Sequence, residues 1–537
     1  MSNSVFDTFD MVVALSQKTI NDQLAQLQRL GSIQDTFYLY RTVDDKGDYH
    51  YTAADTKADV PGLKDGATEP SVECLLAYVA PRVELARSGT DVSFVLTFPK
   101  GEAWLYRGGR LFQHDMSGWS YAIDIDLNLA EIAKEDIAKN KGIPEQVQQQ
   151  LTDFSTRDFT VNNLFIDFNS VDLVRFDPAG TKAGDAGEMG MQALALFMQF
   201  YLTNQQKEGN PYILGYSLTT TSKTQFKDSE KVPASLRPVG ATFSVTHNPK
   251  NPELSTLNFL IDTEGGSGPI IKSKTIFEDQ WLTKADGVDG KAIFSHKRLA
   301  IPLLLEPFYN NLKDSVWDKI SGHIDVNSGH SFADGSTAVS NGFNFTISAQ
   351  NGDDNKYYSS YVARFDSAGG EAQIDYEQGY LRLYKEKSKG LLFCTARAHI
   401  DGTVNWMGKT TLSAILDADG KAVLKPNSSP IQVNKPYPDW SIHKNSCAKD
   451  WSAIGSIFGK ILDGLLTFGQ TNFFEDLLSN ALDVKIDSFG DVTAALANVG
   501  NVSNVVYLPA GGVFDFRDPA FNGAGDLSLG LTYKSQH

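Results

Sequence analysis

The stretch from Met11 to Leu27 limits the fold most strongly. Met11-Val12-Val13-Ala14-Leu15 is an apolar run suited to an extended segment, and Ser16 then offers a hydroxyl to cap a helix. Ile20, Leu24 and Leu27 recur at i, i+4, i+7 along one helical face, and Gly31 stands where that helix stops. Gln17, Lys18, Asp22, Gln26 and Arg29 fall elsewhere on it. One stripe of the helix therefore requires a cover. Downstream, Tyr121, Ile123, Ile125, Leu127 and Leu129 alternate with Ala122, Asp124, Asp126 and Asn128. That period of two marks a strand of an antiparallel sheet with one wet face, a surface able to wrap a helix.

The same one-faced pattern recurs along the chain. Segments 36–41 and 48–52 read as a hairpin, and 92–98, 164–168, 212–220, 241–246 and 257–262 as further strands. Residues 343–347, 357–365, 373–384 and 391–400 resume the pattern, and 505–509 and 526–533 close it. Residues 53–71 are loop-rich, and 130–141 and 144–154 read as polar helices on the outside. Met189 to Leu202 is apolar but short of the ~20 residues a membrane-spanning helix needs, so a buried helix is expected.

A chain of 537 residues exceeds what one hydrophobic core usually serves. Phe294-Ser295-His296-Lys297 leading to Leu299, Leu303 and Leu304 echoes Leu15-Ser16-Gln17-Lys18 leading to Ile20 and Leu24. Duplication and chance both account for the echo, and Pro302 and Pro307 would disturb a helix there. A duplication places the boundary near Asp289-Gly290, giving halves 1–290 and 291–537. The second half carries a helical segment over 450–500, where Trp451, Ile454, Phe458, Ile461 and Leu465 form one stripe.

The net charge is -17, from 48 Lys+Arg against 65 Asp+Glu. Such a surface repels phosphate backbones, so nucleic acid is not an expected partner, and membrane contact is at most peripheral, through a local basic patch. Cys74, Cys394 and Cys447 are too sparse for a disulfide scaffold and lack zinc-ligand spacing. The N-terminus lacks a secretory signature, which predicts cytoplasmic synthesis and, for any release to the exterior, a non-classical route.

Candidate chemistry is thin. Strict alternation explains Asp124 and Asp126 as solvent-side residues, and Asp353-Asp354-Asn355 reads as a turn rather than a calcium loop. His323 and His330 are seven apart, which puts them on opposite faces of a strand, and neither they nor His296 make a metal site. No G-x-S-x-G elbow occurs, and Gly265-Gly266-Ser267-Gly268 lacks the Lys-Ser/Thr of a phosphate loop. Neither an enzyme nor a cofactor is expected.

Phe9-Asp10-Met11-Val12-Val13-Ala14-Leu15-Ser16, with Ile20, Asn21 and Leu24, resembles the start of the clostridial P47 proteins, which occur with the related OrfX proteins beside botulinum-type toxin genes. Tyr507 to Phe516, followed by Phe521-Asn522 and Asp526-Leu527, resembles that family's C-terminal strand region. The resemblance implies the TULIP (tubular lipid-binding) fold. This is an α+β architecture of long amphipathic helices wrapped by highly curved antiparallel sheets around an elongated apolar groove. It also implies non-enzymatic binding of a lipid or apolar small molecule, as an accessory of an insecticidal or botulinum-type toxin cluster. The groove candidates are Val13, Leu15, Ile20, Leu24, Leu27, Leu299, Leu303 and Leu304. These residues suit ordinary core, ligand wall, or both. A buried alkyl tail contributes about 0.8 kcal/mol per methylene, enough for binding without polar contacts. The alternative is a groove filled by side chains in a protein that binds a toxin-cluster partner.

Overall fold

The computed structural model describes Phe6, residues 9–299 apart from 65–66, 87, 141, 171–174, 226–232 and 267–279, then Pro302, strand backbone between 331 and 446, and residues 506–534 apart from 512 and 523–524. In chain order the elements begin with β1 (Met11–Ser16), α1 (Gln17–Arg29), β2 (Thr36–Val43), β3 (Tyr49–Ala54), β4 (Glu73–Glu84) and β5 (Asp91–Arg107). Then come β6 (Arg110–Asp115), β7 (Trp119–Glu131), α2 (Lys134–Ile137), α3 (Glu145–Thr156), β8 (Thr160–Ile166), α4 (Gly187–Glu208) and β9 (Ile213–Thr219). Next are β10 (Pro238–Thr246), β11 (Thr256–Thr263), β12 (Gly290–Phe294), β13 (Ser331–Val339), β14 (Gly342–Asn351) and β15 (Asn355–Phe365). The chain continues with β16 (Glu371–Leu391), β17 (Cys394–Leu416), β18 (Ala422–Val433) and β19 (Asp439–Lys444), and closes with β20 (Val506–Tyr507), β21 (Val513–Phe521) and β22 (Leu527–Lys534).

Backbone packing divides the chain into two compact units that are not contiguous in sequence. The first takes Thr8–Ala292, Asn498–Asp515 and Gly530–His537; the second takes Met1–Asp7, Ile293–Ala497 and Phe516–Leu529.

The first unit is organised by a strongly curled antiparallel sheet, in the order β20-β9-β8-β7-β5-β4-β2-β3, with β6 on the free side of β5. Its curl has local causes. Bulges interrupt the β4–β5 and β8–β9 ladders at Tyr78/Ala80 and Leu164/Phe165, and a bulge bends the strand that carries it. At the first of these bends a Cβ on Gly101 would sit 2.7 Å from the Ala77 Cα, so only glycine allows the approach. The inner face carries Phe37, Leu39, Leu75, Phe94, Leu96, Phe98, Tyr121 and Ile123, all at most 4% exposed. Against the sheet lie α1, which touches both β4 and β9 across three intervening strands, and the 22-residue α4, which touches β2, β3 and β7.

α1 forms as its residues dictate. The Ser16 Oγ accepts the Thr19 amide at 3.1 Å, Leu30 closes the helix, and Gly31 follows in the left-handed region at φ 76°. Its polar face does more than meet water. The β2–β4 ladder ends at Thr36↔Tyr78, which leaves an open edge on the rest of β4. Amide side chains of α1 occupy that edge. Gln17 Oε1 accepts the Leu85 amide at 2.6 Å, Asn21 both donates to the Val83 carbonyl (3.0 Å) and accepts from its amide (2.8 Å), and Gln28 donates to the Val79 carbonyl at 2.7 Å. The helix thus stands in for a strand and blocks further pairing there.

The 53–71 segment is loop-rich as expected, and one other segment departs from its reading. The 53–71 stretch places Val60 and Leu63 on the outer face of the sheet, where they pack with Cys74, Leu76 and Trp104. The 144–154 segment is not a polar outrigger: Val147, Leu151 and Phe154 of α3 share a buried cluster with Val161, Ile213, Tyr216 and Leu218. Their i, i+4, i+7 spacing carries the burial although the intervening residues are polar. A second ladder, β10-β11-β1, has its face of Met11, Val13, Leu15, Leu257, Phe259 and Ile261 closed, and Phe259 occupies the space that a Cβ on Gly215 of β9 would need.

The second unit contains a seven-stranded antiparallel sheet in sequential order from β13 to β18, with β19 returning to pair with β17. β14 and β15 pair down to Asn351↔Asn355, and Asp353 and Asp354 lie outside the described residues. Leu299 is fully buried in this unit, at the end of a turn rather than inside a described helix. Leu303, Leu304, His323, His330 and the 450–500 helical segment lie outside the described residues.

Candidate ligand-binding cleft

The predicted groove residues Val13, Leu15, Ile20, Leu24 and Leu27 come together in the first unit, each 0–2% exposed. All five are buried around the start of the chain. A cleft does open one turn beyond the stripe, where α1 ends. Its volume is about 580 Å³, within the usual range for small-molecule sites.

Three elements build it. Gln28 and Arg29 come from the last turn of α1, Thr36 to Leu39 from β2, and Phe200, Tyr201, Asn204, Gln205 and Glu208 from the C-terminal half of α4. The β3 end adds Ala53, Ala54 and Asp55. The surface it presents is mostly polar; Phe37, Leu39 and Tyr201 line it at no more than 4% exposure, and Phe200 is half-buried.

The helix is pinned over the hairpin by rings. Phe37 meets Tyr201 at 5.3 Å and Phe98 edge-on at 5.8 Å, while Tyr51 meets Phe197 edge-on at 5.2 Å and stacks with Phe200 at 5.8 Å. The end of α4 is held from below. The Asn210 side-chain amide donates to the Ile166 carbonyl at 2.7 Å and to Gln206 Oε1 at 2.8 Å, and its Oδ1 accepts the Tyr212 amide at 3.1 Å. The Tyr201 and Tyr212 hydroxyls share a buried hydrogen bond of 3.1 Å. Burial pushes the Tyr201 phenol up to about 12 and raises the Tyr212 phenol well above its ordinary value, so both rings are neutral structural members. Nothing in the cleft is arranged as a nucleophile with a base.

Elsewhere the candidate residues resolve into structural roles. Asp126 pairs with Arg175 at 2.8 Å on the wet face of β7. In the second unit the His296 backbone amide and Nδ1 both lie against Asp526 Oδ1, at 2.9 and 3.0 Å, and Asn522 donates to the other carboxylate oxygen at 3.1 Å. Among the described residues no three His, Cys, Asp or Glu side chains gather as a metal cluster, and no helix is long and apolar enough to cross a membrane.

Sequence reasoning missed the cleft because its parts lie some 170 residues apart and become neighbours only when α4 lands on the β2–β3 hairpin. The available signal was the aromatic content of both segments, Phe37-Tyr38 and Phe200-Tyr201.

A curled antiparallel sheet wrapped on helices, with a cleft where a helix ends, defines the tubular α+β class, the TULIP-like fold. The P47 structure of Clostridium botulinum E1 has this fold: it aligns over 98% of this chain and 99% of its own, with a TM-score of 0.50 at 13% identity. P47 from Clostridium botulinum A2 aligns over 98% and 97% with a TM-score of 0.46 at 10% identity, and lipopolysaccharide binding protein over 99% and 100% with a TM-score of 0.29 at 11% identity. No protein-family model matches the sequence, and no curated protein matches it.

Proposed function

We propose that the protein is a non-enzymatic binder of an amphipathic, lipid-class molecule, seated in the first-unit cleft with its apolar part against Phe200. The observation that supports this is the cleft itself. A cleft with a mostly polar lining, in which the half-buried Phe200 stands, opens beside the anchored end of α4. Such a site gains affinity by removing apolar surface from water, at roughly 25 cal/mol per Å², and needs no reactive group.

The test is uptake of a fluorescent fatty acid by delipidated protein, together with mass spectrometry of an organic extract of the native protein. Ala53 is exposed on the cleft wall, so Ala53→Trp fills the space without entering the core. Uptake is expected to fall by about tenfold or more in this variant, the effect of losing roughly 1.4 kcal/mol. Absence of both co-purified lipid and uptake in the unaltered protein would sink the proposal.

One observation favours a second reading. The stripe Ile20, Leu24, Leu27 is buried, which a protein-interaction module with a filled groove would also require. A toxin-cluster protein would then be the partner. Co-purification with the neighbouring gene products, unaffected by Ala53→Trp, would support that reading.

A further inference from the structure

The β5–β6 hairpin ends in Tyr106-Arg107-Gly108-Gly109-Arg110-Leu111-Phe112, and all of these except Leu111 are exposed. Gly108 and Gly109 both take left-handed backbone, at φ 59° and 78°, which makes the two-residue turn that suits a hairpin's twist. The register sets Arg107 opposite Arg110 as the last pair before the turn, and Phe112 follows two residues on, on the same face. Two like charges are thereby held on side chains whose Cβ atoms stand about 5 Å apart, an unfavourable cross-strand pair. No carboxylate relieves it, because neither arginine makes an ion pair among the described residues. Glu73 reaches this end of the hairpin, but it is occupied by Arg41 and by the Tyr106 amide at 2.6 Å. The rings are in water as well. Phe112 is 45% exposed, and Tyr106 is 44% exposed although its hydroxyl donates to the Ser71 carbonyl at 3.3 Å.

We propose that this hairpin docks the protein on an anionic lipid bilayer, with Arg107 and Arg110 on head-group phosphates and the Phe112 and Tyr106 rings at the boundary between head groups and acyl chains. An unpaired guanidinium pair calls for an anion that both can grip, and exposed rings call for an interface that is apolar on one side. A bilayer containing anionic lipid presents both at one surface, whereas a dissolved anion presents only the first. This goes beyond the cleft reading and holds whether or not the cleft carries a ligand. The net charge of -17 does not oppose it at the contact, because exposed charges are screened beyond about 8–10 Å at physiological salt. The acidic β2–β3 turn, with Asp44, Asp45 and Asp48, stands at the same end of the sheet, but β4 lies between β2 and β5 and sets them about 10 Å apart. A surface this small makes a reversible, salt-sensitive attachment, not a permanent anchor.

The test is flotation of the full chain with vesicles of phosphatidylcholine alone and of phosphatidylcholine with an equal part of phosphatidylserine. Binding is expected to the mixed vesicles only, and to weaken as salt is raised. Arg107→Gln combined with Arg110→Gln should lower the partition coefficient on the order of tenfold, the scale of two basic residues at an anionic surface. Phe112→Ser changes no charge and should lower it several-fold, which a purely electrostatic attraction would not do. Lys134→Gln combined with Lys139→Gln removes the same charge from exposed positions beside α2 and should leave binding unchanged. Ala53→Trp should also leave it unchanged, which separates the hairpin from the cleft. Absence of binding to the mixed vesicles overturns the inference. So does binding that the arginine variant or Phe112→Ser leaves intact, or that the lysine variant or Ala53→Trp reduces as much as the arginine variant does. None of these outcomes bears on fatty-acid uptake by the cleft, which is read separately.

Discussion

At the scale of single residues, the most informative side chains are amides on a helix. Asn21 gives one strand residue, Val83, both a donor and an acceptor, as a neighbouring strand would. Truncating it leaves two backbone groups of β4 without partners in a half-buried setting. Asn21→Ala is therefore expected to destabilise the protein by about 2 kcal/mol, where Gln26→Ala on the same helix costs a few tenths, as urea unfolding will show. Cys74 makes a second case. It is fully buried beside Leu76 and Trp104, and burial pushes its thiol up to about 12. Peptide mapping after iodoacetamide treatment at pH 8 should find Cys74 unmodified in the native protein and modified in guanidinium, because only the thiolate reacts. Modification of the native protein would contradict the packing of that cluster.

Among the elements, the β2–β3 hairpin has a turn tied to a titrating carboxylate. Asp44 caps its turn. Its carboxyl lies at about 2, held down first by the His50 hydrogen bond and then by the amides of Asp48 and Lys46. A depressed carboxyl stabilises the fold above its unfolded value near 3.9, and that contribution is lost as pH falls through the folded value. Amide exchange at Lys46 and Asp48 should therefore rise between about pH 4 and pH 2 relative to the β2 interior, and Asp44→Asn should abolish the change. The first helix is set by local chemistry in the same way. Ser16→Ala is expected to cost about 1 kcal/mol, read as a lower thermal midpoint.

At the scale of the molecule, the first unit depends on the far end of the chain. Val506 and Tyr507 of β20 pair with Ser217 and Tyr216 of β9, which would otherwise be an open edge. The Ala510 amide donates to the buried Gln23 of α1 at 3.1 Å, and the Tyr533 amide to the Asp289 carboxylate at 2.8 Å. Deleting 498–537 should therefore raise hydrogen exchange across 213–219 and lower the melting temperature by several degrees. Unchanged protection of β9 would mean that the returning strand contributes little.

Much was legible in the residues alone. The Ser16 cap, the buried stripe Ile20-Leu24-Leu27, the alternation of β7 and the α+β class all rest on contacts between residues close in sequence, where periodicity translates directly into geometry. Tertiary structure decided what non-local contacts decide. It turned the polar side of α1 into the cover of a strand edge, put α3 into a core, and returned β20 to the edge of the first unit's sheet. It also buried the predicted groove residues and opened a cleft a turn away. Whether an apolar stripe is sealed or left open depends on the volume of what lands on it, and that is a property of the packed fold, which no period in a sequence records.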